Sequence, residues 1–299
     1  MSAYALHKTY CDAARVTPDL PRLILGLILI ELGFKVGLAL MDAMLAEAPP
    51  QFVSDLHFGI SRIGLLLQLC SFAALALSAL FVTRNLHNRP VATLIGPPQQ
   101  AWRDLWRVTW AGLAAFAAIE VLPPYYSLAG AEWNTPLLWL TTLPLAMIAL
   151  LIQTGAEEVV YRGYLQQQLA ARFDHPAIWL MVPNLLFAAA HWDPTGDLGA
   201  AQAYVIWAFF FGLAASDLTA RSGTLGAAIG FHLANNTFAF LFFGTSGAPD
   251  SGLALLLFPA SDTLLPPSAQ DSVFDAARLT VELLIIAILW LAARIAIKR

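Results

Sequence analysis

Three short polar stretches interrupt an otherwise apolar chain of 299 residues, and their residue types suffice for hydrolytic chemistry. They are Glu157-Glu158-Val159-Val160-Tyr161-Arg162, then Phe187-Ala188-Ala189-Ala190-His191, then His232-Leu233-Ala234-Asn235-Asn236. On a helix, residues four apart share a face, so Glu158 can pair with Arg162, with the glutamate in the favoured N-terminal position. Glu157 is turned about 100° away and stays available. A carboxylate so placed suits a general base working near neutrality. Phe187 shares a face with His191 and can wall one side of an imidazole pocket. His232 and Asn236 lie one turn apart and can both donate to a single point, as an oxyanion requires. Asn235 faces elsewhere on this reading and takes no role.

Each stretch also has a plainer reading. The two glutamates could be surface charge capping a helix end, and His191 an interfacial histidine bonded to backbone. His232 and Asn236 could be interhelical glue, a common use of polar side chains between membrane helices. What separates the readings is whether the stretches can meet.

The elements that must position them are transmembrane helices. The chain is 59% hydrophobic and 12% charged, with a mean hydropathy of +0.66. A soluble domain carries about twice that charge. Several apolar runs reach the roughly 20 residues that cross a bilayer, which predicts an all-α, polytopic bundle of about eight spans. They run Leu23–Leu45, Ile63–Val82, Trp106–Leu122 (stopped by Pro123-Pro124), Pro136 through the first polar stretch, Pro176 to about His191, Ala201–Ala215, Leu225–Phe243 and Leu279–Ile297. The first apolar run is read as a retained span, being longer than a signal-peptide core. Three regions follow: residues 1–135, a core of 136–244, and 245–299 with its loop and last span.

Loop charge orients the bundle. Counting from an inside N-terminus, nearly all lysines and arginines face the cytoplasm, and Arg62 and Arg278 alone fall in the opposite loops. That asymmetry predicts an integral, multi-pass protein with both termini cytoplasmic. The loop 244–276 carries Asp250, Asp262, Asp271 and Asp275 without a lysine or arginine, as an external loop should. No basic arm points to nucleic acid. Cys11 and Cys70 sit in different settings and predict no disulfide or zinc motif. Glu31 with Lys35, and Arg278 with Glu282, are spaced to neutralise each other.

Depth decides convergence. If the fourth span continues as helix through Arg172 and turns at Asp174-His175-Pro176, Glu157 and His191 each lie 17 residues from Asp174, about 25 Å along a helix. His232 lies 11 residues beyond Arg221, about 17 Å. The levels agree to roughly two turns, so the three stretches can share one depth, with Gln166, Gln167 and Gln168 toward the cytoplasm.

The order of the three motifs resembles the CPBP family of membrane proteins, which includes the type II CAAX prenyl endopeptidases and bacterial bacteriocin-processing and immunity proteins. The likeness extends to Phe210-Phe211-Gly212-Leu213 and Arg221-Ser222-Gly223-Thr224-Leu225 and covers residues 136–244. It implies an intramembrane peptidase, possessing CAAX-type activity in its best-known members. By position, Glu157 would activate the attacking water and His191 would assist. His232 and Asn236 would bind the oxyanion, while Glu158, Arg162 and Phe187 would support the site. The implied partners are a protein or peptide substrate, lipidated in the CAAX case, and membrane lipids. Glu157, His191 and His232 could also ligate a divalent metal such as zinc, although a base with oxyanion donors accounts for the residues without one. Competing readings are a non-catalytic scaffold or immunity-type protein, and a transporter whose polar residues line an ion path.

Overall fold

Proline sets where many of the helices begin, because its missing N–H and fixed φ suit the first helical turn. In the computed structural model, which describes residues 3–122, 128, 130–194, 198–260 and 269–299, prolines open α2 (Leu20–Met44), α3 (Pro50–Phe58), α6 (Pro98–Glu120), α7 (Pro136–Glu158) and α9 (Pro176–Ala190). The Asp19 side chain caps α2 by accepting from Arg22 N at 3.1 Å. Ser61 does the same for α4 (Arg62–Ser71) through Gly64 N at 3.2 Å. The remaining helices are α1 (Ala5–Tyr10), α5 (Ala73–Asn85), α8 (Gln166–Arg172), α10 (Leu198–Ser222), α11 (Gly226–Leu241) and α12 (Ala269–Ile297).

All eight expected spans are helices, so the bundle is all-α. Five stretches are long and apolar enough to cross a membrane: Leu20–Met44, Arg62–Asn85, Pro136–Arg172, Leu198–Ser222 and Ala276–Ile297. The second span is really two helices, α4 and α5, broken at Phe72. The third starts eight residues earlier than expected, at Pro98, since the turns before Trp106 continue as a more polar helix. A small sheet adds to the helices. Here β1 (Glu132–Trp133) pairs antiparallel with β3 (Leu256–Phe258), which pairs parallel with β2 (Phe243–Thr245). Pro123, Pro124 and Asp262 lie outside the described residues, as do the side chains of Asp271 and Asp275.

Small residues let α11 lie directly on α6. A Cβ built on Gly226 would stand 1.9 Å from the Ala101 carbonyl oxygen, and one on Gly230 would stand 2.3 Å from that of Leu105. This is the small-xxx-small solution to close helix approach. Gly226→Ala therefore forces the helices apart. We expect a loss of about 1–3 kcal/mol, read as a lower melting temperature in detergent; an unchanged midpoint would reject the close contact.

At the other end of α7 the chain stays helical. A π-helical segment, Val159–Leu165, runs directly into α8. The stretch from Pro136 to Arg172 is one rod of 37 residues, about 55 Å long, so it outreaches a hydrocarbon core of about 30 Å. The protruding end is enclosed by α1, a 3-10 turn at Asp12–Val16 and the 87–94 segment. Gln166 and Gln167 are fully buried there and Gln168 nearly so. Their amides donate to Ser216 O, Thr93 O and the His87 ring at 3.2, 2.9 and 2.7 Å.

His7 of α1 is buried in this cap, against Trp179 with ring centres 4.3 Å apart. Burial, with Arg15 nearby, pushes its imidazole from 6.5 down to about 4. The folded state therefore holds His7 neutral where the unfolded chain protonates it. Stability is intact above about pH 6.5 and declines as pH falls toward 4, by on the order of 3 kcal/mol for this group. Melting temperature should fall between pH 7 and pH 5, and His7→Gln should flatten part of that slope. Coincident slopes would rule out a neutral His7.

Candidate active site

The end of α7 separates the two glutamates. Glu158 is wholly buried, and its Oε1 accepts from Arg162 Nη1 at 3.0 Å and from His232 Nδ1 at 2.8 Å. A buried charge needs this much company to be tolerated. Arg162 serves a second partner as well: Nη2 donates to Asn184 Oδ1 at 3.0 Å, and the guanidinium lies 4.6 Å from the Phe187 ring centre. Asn184 is fixed in turn by donating to Ser216 Oγ at 2.9 Å. Gly212 makes room for the arrangement, since a Cβ there would lie 2.6 Å from Asn184 Oδ1 and 2.8 Å from Arg162 Nη2.

Glu157 has different company. Gln153, one turn earlier on α7, donates to its Oε1 at 2.9 Å. Its Oε2 has no hydrogen-bond partner among the described residues and faces His232 Nε2 at 3.7 Å. Gln153 Oε1 accepts from Asn236 Nδ2 at 2.8 Å, and Asn236 Oδ1 accepts from Asn235 Nδ2 at 3.1 Å. The amides thus form a directed chain from α11 across to the carboxylate on α7.

The histidine tautomers follow from their partners. His191 caps the C-terminus of α9, with Nδ1 2.7 Å from Phe187 O. A carbonyl only accepts, so Nδ1 carries the proton and Nε2 keeps its lone pair. The ring packs against Phe187 and Tyr204, with centres 4.4 and 5.5 Å away. His232 donates Nδ1–H to Glu158, so it offers a second donor through Nε2 only when doubly protonated. The expectation that His232 and Asn236 both donate freely to one point therefore needs correction. One hydrogen of each is committed, to Glu158 and to Gln153, and one nitrogen of His232 remains.

These groups line one cavity of about 1090 Å³. Glu157, His191, His232 and Asn236 all reach it. Aromatic rings form its walls, among them Phe116, Tyr204, Trp207 and Phe211, and its rim includes Gln68, Asp250, Arg278 and Glu282. Arg278 and Glu282 do pair, at 3.4 Å, but beside the cavity mouth. Asn235 also lines the cavity, against the sequence reading that turned it away; six residues of α11 line it, so the helix presents more than one face to so wide a space. Among the described residues, no three His, Cys, Asp or Glu side chains gather as metal ligands. Glu157, His191 and His232, the possible zinc ligands considered from the sequence, share the cavity.

Sequence reasoning missed Gln153, Asn184 and Ser216. The signal was present: Gln153 stands four residues before Glu157, and Asn184 is an amide inside an apolar helix. Gln153→Leu removes the hydrogen bond that orients Glu157. We expect kcat to fall about 10- to 100-fold with a melting temperature within a few degrees of wild type. A rate equal to wild type would mean that the amide does not position the carboxylate.

Residues 138–238 match the family model described as type II CAAX prenyl endopeptidase Rce1-like. The uncharacterized protein YyaK of Bacillus subtilis (strain 168) is 29% identical over 184 residues, covering 58% of this chain and 59% of that protein. The chain thus spans about three fifths of the length of the curated relative it matches. No solved structure matches it. The matched segment contains all three motifs, and over it this integral membrane protein is similar to the type II CAAX prenyl endopeptidases described as Rce1-like.

Proposed function

We propose that this chain hydrolyses a peptide bond within the membrane, using water activated by Glu157, in CAAX-type protein processing. The observation that carries the reading is the asymmetry of the two adjacent glutamates. Glu157 lines the cavity of about 1090 Å³ and is oriented by Gln153, whereas Glu158 is wholly buried and does not line it. Water between the Glu157 carboxylate and a scissile carbonyl would give its proton to the carboxylate as its oxygen attacks carbon. The developing oxyanion would be met by the remaining Asn236 N–H and, with His232 doubly protonated beside the two glutamates, by its Nε2–H. Collapse would break the C–N bond as the proton passes from Glu157 to the leaving amine. His191 assists through its unprotonated Nε2, orienting the water. Glu158 and Arg162 hold this machinery in place without touching substrate, and Phe187 supports it from the cavity wall.

The catalytic core is residues 136–244, and the arginine-rich end of the bundle, with both termini, faces the cytoplasm. The substrate is a peptide or protein that reaches the cavity from the membrane or its surface. The test is cleavage by purified, reconstituted protein of farnesylated and unmodified peptides that end in a CAAX sequence, with products read by mass spectrometry. Release of a C-terminal tripeptide from the farnesylated peptide is expected. Should neither peptide be cut, and should membrane proteomes with and without the active gene show the same C-termini, the proteolytic reading fails.

A further inference from the structure

Away from the catalytic cavity, α10 and α12 border a second groove of about 420 Å³. Phe210, Leu213, Leu283 and Ala287 line its apolar length, while Tyr4, Asp217 and Trp290 meet at one end. That end is a built polar site. Asp217 accepts from Tyr4 Oη at 2.8 Å, from Arg221 Nε at 2.7 Å and from Trp290 Nε1 at 2.9 Å. Cations lie against its two aromatic rings. The Arg221 guanidinium is 5.5 Å from the Tyr4 ring centre, and that of Arg294 is 4.8 Å from the Trp290 ring centre. Arg299 Nη1 reaches Arg221 O at 3.2 Å. Arg221 is paired with the Asp217 carboxylate, while Arg294 and Arg299 lie beside this end on Trp290 and the Arg221 backbone.

The groove has the polarity of a lipid. Asp217 to Phe210, and Trp290 to Leu283, are each seven residues, about 10 Å of helix. The slot therefore runs from a charged, aromatic end into the apolar belt of the bundle. Tryptophan favours the headgroup level of a bilayer, and basic pockets between transmembrane helices receive anionic headgroups. We propose that this groove binds an anionic phospholipid, with one acyl chain between α10 and α12 and its phosphate against Arg221 and Arg294. Ile286 lines both this groove and the catalytic cavity. Lipid in the groove therefore braces the wall that α12 contributes to the catalytic space.

The experiment uses the full chain in a neutral detergent, titrated with phosphatidylglycerol or with phosphatidylcholine of the same chains. Adducts are read by native mass spectrometry and stability by thermal unfolding. Phosphatidylglycerol should be retained at least about fivefold over phosphatidylcholine, the effect of roughly 1 kcal/mol per basic side chain, and should raise the melting temperature. Arg294→Gln should reduce that preference about fivefold. Ala287 is exposed, so Ala287→Trp should fold normally, fill the groove and remove both adduct and thermal shift. Equal retention of the two lipids, or a preference unchanged in Arg294→Gln and Arg221→Gln, would overturn the proposal. So would the same thermal shift from inorganic phosphate alone, which would make this an anion site without a lipid.

Discussion

Glu157→Gln is expected to leave the protein folded and to stop peptide cleavage, with kcat falling on the order of 10³-fold or more. The amide is nearly isosteric, and its oxygen can still accept from Gln153 Nε2, now 2.9 Å from Glu157 Oε1. What it cannot do is take a proton from water, and a positioned base contributes about 10²–10⁴-fold. Glu158 cannot take over, because it is wholly buried, is held by Arg162 and His232, and does not line the cavity. The check is single-turnover cleavage in reconstituted vesicles, alongside the melting temperature. Cleavage at the wild-type rate by a folded Glu157→Gln would move the base elsewhere and remove the central assignment.

Arg162→Leu is expected to cause the largest loss of stability from one substitution, about 3–5 kcal/mol. Arg162 and Glu158 are both wholly buried, so the substitution strands a carboxylate in an apolar interior. It also unties Asn184 and removes the cation stacked on Phe187. Arg162→Lys should rescue little, since a single ammonium cannot copy a fork serving Glu158 and Asn184 together. The double variant Glu158→Leu/Arg162→Leu should recover part of the lost stability, the stranded charge being gone, yet remain inactive because His232 has lost its anchor. Thermal unfolding of the three variants in one detergent decides this. A double variant no more stable than Arg162→Leu would show that packing, not charge, sets the cost.

Much of this was legible in the sequence, for identifiable reasons. Apolar runs mark spans because the bilayer demands them, and i, i+4 spacing placed Glu158 beside Arg162. Counting from the turn at Asp174 put Glu157 and His191 at one depth. The unread parts are those that depend on rotation about helix axes and on neighbours distant in sequence. Asn235 reaches the cavity although it adjoins Asn236, and Gln153 joins α7 to α11 through a contact 83 residues apart. The burial of Gln166, Gln167 and Gln168 was equally hidden, since it requires α1, the 87–94 segment and α10 to surround the rod on every side. Polar residues in sequence suggest solvent; here they mark a crowded junction.

The π-helical segment between Glu158 and Gln166 carries a last implication, one of phase. Its i→i+5 bonding admits residues that an α-helix would exclude, and each residue admitted advances the following faces by about 100°. The rod upstream presents Gln153 and Glu157 to the cavity; the rod downstream meets the cap. The insertion lets each half keep its own rotational register along a common axis. Shortening 159–165 by one residue would leave every partner's identity unaltered and turn the downstream half out of step with its neighbours. The motif's spacing is thus a mechanical setting as much as a chemical one.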